Sequence, residues 1–196
     1  MLRIGITGGI GAGKSIACKI FSCLGIPVYY ADDRAKQLML EDEALKEAIS
    51  ANFGKESYTS NGQLNRSYLA DQVFDNEEKL EKLNALVHPA VGKDYEAWAA
   101  RQKSPYILKE AALLFEAGSY QQLDAVIIVS APKDVRIERT LMRDSHRSRQ
   151  QVEDIMSKQW SERKKIKLAN YQLINDGKQL LLPQVLDLHQ QLLSTR

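Results

Sequence analysis

Leu2-Arg3-Ile4-Gly5-Ile6-Thr7-Gly8-Gly9-Ile10-Gly11-Ala12-Gly13-Lys14-Ser15 follows the first methionine of the chain. A short strand pattern, Leu2 to Thr7, runs straight into glycines. Gly8, Gly13, Lys14 and Ser15 then meet the pattern G-x-x-x-x-G-K-[ST], between a strand and a helix, where that pattern has meaning. Gly8, Gly9, Gly11 and Gly13 carry no Cβ, so the backbone can approach an anion closely. Successive N–H groups, with Ala12 among them, then point into one concavity. Ile16, Ala17, Ile20, Phe21 and Leu24 recur at helical spacing after it, so the positive end of a helix faces the same anion. Lys14 is placed to reach β- and γ-phosphates, and the Ser15 hydroxyl to complete a Mg²⁺ shell. The Lys-Ser ending belongs to loops for nucleoside triphosphates rather than dinucleotides. ATP and Mg²⁺ are the expected cofactors, contacted from Gly8 to Ser15 and at Ile16.

Outward from the loop, Gly25 stops the first helix, and Ile26 to Tyr30 reads as a second strand. Strand, loop, helix and strand make a βαβ unit, which implies a parallel sheet. Residues 33–103 interrupt that rhythm with polar, mostly helical sequence. They include an irregular connection over 52–65 and a helix from Asn76 to Val87 closed by His88-Pro89. Strands resume at Tyr106–Leu108, at the continuously apolar Ala125–Val129, and at Tyr171–Ile174. Pro132 and Asp134 open a helix, Gln151 to Lys167 another, and Leu180 to Leu193 an amphipathic last one. The expected fold is α/β: three layers, with a five-stranded parallel sheet flanked by helices. Residues 1–32, 104–138 and 168–196 make the nucleotide-binding core, 33–103 a helical insertion, and 139–167 a lid.

A length of 196 residues suits one core with insertions rather than several domains. The net charge of +2 is too small to argue for nucleic-acid binding. No apolar run reaches the roughly 20 residues that span a bilayer. With no signal-peptide pattern at the start, a cytoplasmic location is expected. Cys18 and Cys23 both fall in the first helix and read as reduced, packed thiols rather than a disulfide or metal framework.

Asp32 and Asp33 follow the second strand, at the end of the sheet where open α/β folds bind ligands. A kinase acting on a hydroxyl needs a carboxylate to take its proton, and Asp32 is the candidate. Asp33 reads as a cap or a solvated acid for a helix starting near Arg34. Arg136, Arg139, Arg143 and Arg147, at spacings of three, four and four, read as one helical face. Such a face is either a solvated basic stripe or a source of charge for the transition state.

At this point the sequence resembles the dephospho-coenzyme A kinase family along nearly its whole length. The resemblance begins with Ile6 to Ser15 and continues with Tyr30-Ala31-Asp32, Phe53-Gly54, and Asn61-Gly62-Gln63-Leu64-Asn65-Arg66. His88-Pro89, Leu113-Leu114-Phe115-Glu116, Arg139-Thr140-Leu141-Met142-Arg143-Asp144, Gln159 and Ile174-Asn175-Asp176-Gly177 follow in order. The resemblance implies transfer of the ATP γ-phosphoryl group to the ribose 3′-hydroxyl of dephospho-coenzyme A, the last step of coenzyme A synthesis. It implies Asp32 as proton acceptor and Arg139 as a transition-state or ATP contact, with Lys14 as the third catalytic group. Arg143 falls in the lid-entry motif as a further nucleotide contact, and Asn175 and Gly177 lie beside adenine. The resemblance also implies that the 33–103 insertion is a helical subdomain holding the coenzyme A moiety, with Arg66, His88, Leu113 and Glu116 joining Asp32 on the substrate side. Glu110 stands where many members have Asp, as an outer acid near Mg²⁺. Tyr30, Lys36, Ala112 and Asn170 depart from the family's usual residues, and none of them touches the loop or Asp32. A monomer or weak homo-oligomer acting on a small molecule is expected.

Two other readings compete. One is a P-loop kinase for a nucleoside monophosphate or a shikimate-like alcohol, which would share the loop and the arginines. The other is a slow nucleotide switch. Guanine readers of that kind usually carry Asn-Lys-x-Asp, which this sequence lacks.

Overall fold

The computed structural model describes residues 1–74 and 76–194, in two compact units, Met1–Tyr30 with Gln102–Arg196, and Ala31–Arg101. In chain order the first unit begins with β1 (Leu2–Thr7), α1 (Lys14–Cys23) and β2 (Val28–Tyr30). The second holds α2 (Ala31–Glu41), α3 (Glu43–Phe53), α4 (Arg66–Val73) and α5 (Glu77–Ala99). The chain then returns through β3 (Tyr106–Glu110), β4 (Ala125–Ser130), α6 (Lys133–Arg143), α7 (Arg149–Ser157), α8 (Glu162–Leu168), β5 (Tyr171–Ile174) and α9 (Leu181–Ser194).

The sheet of the first unit is parallel throughout, in the order β2-β3-β1-β4-β5. Helices cover both faces, so the strands carry unbroken apolar runs: Ile127, Ile128 and Val129 are all fully buried. One core packs Ile4, Ile6, Tyr106, Leu108, Ile127 and Val129 against α1 and α9. Phe21 of α1 meets the Tyr106 ring edge-on at 6.3 Å, and the Tyr106 hydroxyl and Nδ1 of His189 on α9 are 2.6 Å apart. β1 is central: the chain leaves it toward β2 and β3 on one side and reaches β4 and β5 on the other. The connections therefore part company at the carboxyl end of β1, which is where such sheets bind ligands.

The five strands fall where the sequence places them; several helices do not. The helix expected to end at His88-Pro89 continues through Pro89 to Ala99. Val87, Val91, Tyr95 and Ala99 are buried at a spacing of four, so one packed face runs past the proline and outweighs its missing N–H. The single helix expected from Gln151 to Lys167 is two, α7 and α8. Ser161 starts α8 afresh by accepting the Lys164 N–H, and the Trp160 N–H turns aside to Glu116 Oε1 at 2.8 Å. α6 ends at Arg143, which takes Arg147 off the expected arginine face. α2 begins at Ala31 rather than near Arg34, so Asp32 and Asp33 lie in its first turn and do not cap it. Negative charge is favourable there, beside the positive helix end. Asp33 is solvated and pairs with Lys36 at 2.8 Å. Both cysteines are free; Cys18 is buried, but Cys23 is exposed rather than packed. The segment 139–167 lies within the first unit. Among the described residues no helix is long and apolar enough to cross a membrane.

Candidate active site

β1 delivers Gly8, and α1 begins at Lys14. Between them Gly11 and Gly13 take left-handed φ values of 76° and 97°, which L side chains rarely adopt. Close packing adds to the demand: a Cβ on Gly11 would lie 2.2 Å from the Arg136 carbonyl oxygen. One amide of the loop is engaged internally, since Ala12 N–H donates to the Gly9 carbonyl at 3.1 Å. α1 has no side-chain cap and no acid in its first turn. The positive end of such a helix suits an incoming anion. Lys14 Nζ donates to the Gly8 carbonyl at 3.1 Å and lies 3.8 Å from Glu110 Oε1. Glu110 ends β3, in register with Ile6 of β1 and Tyr30 of β2. Ser15 and Ile16, the next residues of α1, are exposed.

Side chains from distant segments hold the loop. Asn175, just past β5, donates from Nδ2 to the Ala12 carbonyl at 2.8 Å, and its own carbonyl accepts from Arg139 Nη1 at 2.8 Å. The other Arg139 nitrogen, Nη2, lies 3.9 Å from where a Gly177 Cβ would be. Asn175, Gly177 and Arg139 therefore gather at one flank of the loop. At the crest, Ile10 N–H donates to Gln159 Oε1 at 3.1 Å, and the Arg136 guanidinium occupies the space a Gly9 Cβ would need. Arg136 also donates to the Ala131 carbonyl at 3.0 Å and pairs with Glu162 at 3.4 Å. Burial holds the Glu162 carboxyl above its ordinary range, against the opposing pull of the Arg136 charge. A cavity of about 310 Å³ opens beside this crest, lined by Gly9, Arg136, Met156, Gln159, Trp160 and Lys165 among others.

Beneath the cavity Lys165 Nζ sits 2.7 Å from Glu116 Oε1, with side-chain exposures of 1% and 13%. The same ammonium lies 3.5 Å from the Ala112 carbonyl, which also accepts the Thr7 hydroxyl at 3.4 Å. Glu116, read from sequence as a substrate contact, is thus committed to Lys165 and to the Trp160 amide. Its Oε2 is buried with no hydrogen-bond partner among the described residues. Leu113 is exposed, three residues before it. Arg143 forms a two-point pair with the Asp144 carboxylate at 2.8 and 3.0 Å, which Arg147 joins at 3.2 Å. The Arg143 bonds, chiefly, hold the Asp144 carboxyl down at about 2.

The structure therefore brings together Gly8 to Ser15, Glu110, Arg139, Asn175 and Gly177. Glu116 lies on Lys165 and Trp160, both of which line the cavity beside the loop, and Arg143 is paired with Asp144. Asp32, Arg66 and His88 belong to the second unit; all three are exposed, in the first turn of α2, at the start of α4 and on α5. Arg136 and Gln159 join the site, and so does Lys165, which the sequence did not single out. Arg136 gave a signal in its spacing from Arg139 and Gln159 in the tail pattern. Lys165 gave none, because Arg163-Lys164-Lys165 reads as a solvated run. Among the described residues no group of three or more His, Cys, Asp or Glu is arranged to hold a metal ion.

Comparison with known proteins agrees with this geometry. A family model described as dephospho-CoA kinase matches residues 2–180. A dephospho-CoA kinase of Bacteroides fragilis is 34% identical over 188 residues, covering 95% of this chain and 91% of its own. One from Salinibacter ruber is 41% identical over 180 residues, covering 90% of each. A solved structure from Thermus thermophilus superposes with a TM-score of 0.84 at 32% identity, covering 98% of this chain and 96% of that one. With a triphosphate loop on the central strand and full-length matches of this kind, the chain belongs to the dephospho-coenzyme A kinase family.

Proposed function

We propose the following division of labour for the family's reaction, in which the γ-phosphoryl group of ATP passes to the ribose 3′-hydroxyl of dephospho-coenzyme A. The loop Gly8 to Ser15 holds the triphosphate on backbone amides and on the positive end of α1, and Lys14 swings from the Gly8 carbonyl to the β- and γ-phosphates. Arg139, Asn175 and Gly177 serve the nucleotide at one flank of the loop. Asp32, two residues past β2, accepts the proton of the 3′-hydroxyl. The 3′-oxygen forms a bond to the γ-phosphorus, the bond from that phosphorus to the β,γ-bridging oxygen breaks, and ADP leaves. Asp32 then returns its proton to water. Arg66, His88 and Leu113 are assigned to dephospho-coenzyme A, and Arg143 reaches ATP if the 139–167 segment moves as a lid.

Mg²⁺ fits the residues present. Ser15 offers an exposed hydroxyl on the first turn of α1, and Glu110 a carboxylate 3.8 Å from Lys14 Nζ. Hard oxygen donors completed by phosphate and water are what this ion prefers. Bound there, it would neutralise charge on the β- and γ-oxygens. We place the protein in the cytoplasm, as a monomer or weak homo-oligomer, in keeping with a biosynthetic step on small molecules.

The observation that carries the reading is the armed loop, with Lys14 and Glu110 side by side, in a chain matched by the family over residues 2–180. The test is ADP release with dephospho-coenzyme A, a nucleoside monophosphate or shikimate as acceptor, and with none. Dephospho-coenzyme A is expected to be strongly preferred. Equal turnover of another acceptor, or fast hydrolysis without one, would sink the assignment. Asp32→Asn is expected to lower kcat by about 10²–10⁴-fold with a smaller change in either KM.

A further inference from the structure

We propose that Asn175 is a positioning residue that aims a phosphate-binding amide of the loop from behind. The proposal rests on the reading that Gly8 to Ser15 holds the triphosphate, and goes beyond it in saying what shapes that loop before ATP arrives.

The Ala12–Gly13 peptide is trans, like every described peptide bond of the chain. In a planar trans peptide the carbonyl and the N–H point in opposite directions. The Ala12 carbonyl accepts Asn175 Nδ2–H at 2.8 Å. The Gly13 N–H is thereby turned away from Asn175. Rotating this peptide away from that direction would break the Asn175 bond. The amide's orientation is not ambiguous, because a carbonyl oxygen needs a donor and only Nδ2 supplies one.

Asn175 is itself fixed at both ends. Its N–H donates to the Ser130 carbonyl at 2.8 Å, continuing the pairing of β5 with β4. Its carbonyl accepts Arg139 Nη1 at 2.8 Å. Its side chain fills the space behind Gly13, where a Cβ would meet Nδ2 at 2.2 Å. Gly13 at φ 97° is the hinge that lets the loop turn into α1. The flank at 175–177 is thus wired to the phosphate grip through one side-chain bond. Orienting the amide in advance removes reorganisation when the anion binds.

A residue that only touched the adenine ring would give a different result. Inorganic tripolyphosphate has the phosphates and no base. It is used as an inhibitor competing with ATP, on the full-length chain, wild type against Asn175→Ala and the isosteric Asn175→Asp. Wild-type inhibition by tripolyphosphate tests the loop reading alone, and its absence would fail that reading. Given that inhibition, the tripolyphosphate Ki is expected to rise about fivefold in Asn175→Ala, the loss of about one net hydrogen bond. The rise should be larger in Asn175→Asp, whose carboxylate opposes the Ala12 carbonyl, while KM for dephospho-coenzyme A stays within about twofold. A tripolyphosphate Ki unchanged in both variants overturns the proposal, whether or not KM for ATP rises. If neither variant folds, the wild type decides by NMR without nucleotide. One Asn175 side-chain amide proton should then exchange slowly with water, and fast exchange of both overturns the proposal.

Discussion

Cys18 lies fully buried on the inner face of α1, four residues after Lys14. Desolvation pushes its thiol up to about 12; the Glu110 charge adds to that, and Lys14 works against it. At neutral pH it therefore holds its proton and is no nucleophile. Cys23, on the same helix, is exposed. A thiol reagent at neutral pH should modify Cys23 rapidly and Cys18 only at the rate of unfolding, read by mass spectrometry; equal rates at both would show α1 is not packed as described. The sign of the pH effect follows. The native state keeps a proton that the unfolded thiol gives up near 9, so this group's contribution is full below pH 9 and falls away as pH rises toward 12. At this scale the sequence was legible where a residue type answers a chemical need. Gly11 and Gly13 could be read because a tight anion loop demands glycine, and Lys14 because phosphate demands a cation. Lys165 could not, because its partner Glu116 is 49 residues away and nothing local distinguishes it from Lys164.

α8 enters the core with a charge on its inner side, and the Glu116–Lys165 pair is what makes that tolerable. A buried pair is weak evidence for stability, but breaking one strands the surviving charge. Lys165→Met is expected to cost about 3–5 kcal/mol, with Lys165→Met/Glu116→Leu regaining most of it. Denaturant midpoints at unchanged slope would measure both. A single variant costing less than about 1 kcal/mol would mean water already solvates the pair. Other bonds break the expected helix from Gln151 to Lys167 just before α8. Gln159 turns to Ile10, Trp160 to Glu116, and Ser161 caps a new helix, each a side-chain or long-range bond that helical spacing does not report. The reverse happened at Pro89: the local signal for a stop was clear, and the buried face continuing through Val91, Tyr95 and Ala99 overrode it. α6 shows a middle case, since Arg136 and Arg139 share a face as their spacing demands, yet the helix ends before Arg147.

The strands and their parallel sense were readable because each is a short apolar run separated by helical sequence. The order β2-β3-β1-β4-β5 was not, since it depends on which edge each crossover returns to. The strand rhythm breaks over 33–103, and the compact units divide at Tyr30/Ala31 and Arg101/Gln102. That division puts Asp32, Arg66 and His88 on one unit, and the phosphate loop, Arg139 and Asn175 on the other. If the second unit receives the coenzyme A moiety, the two substrates should leave separate footprints. Hydrogen exchange followed by mass spectrometry can read them without any assumption about how the units are arranged. ATP alone should protect peptides covering 8–16, 136–143 and 174–178, where the loop and its flank lie. Dephospho-coenzyme A alone should protect peptides within 31–101, most around Arg66 and His88. A ligand at 100 times its Kd adds about 2.7 kcal/mol to the state that binds it, enough to slow exchange governed by opening of that state roughly a hundredfold. Lys14→Ala should erase the first footprint and leave the second. Protection by dephospho-coenzyme A confined to the sheet unit would instead mean that the helical insertion serves some other purpose, and that the acceptor's grip must be sought among the residues after β3.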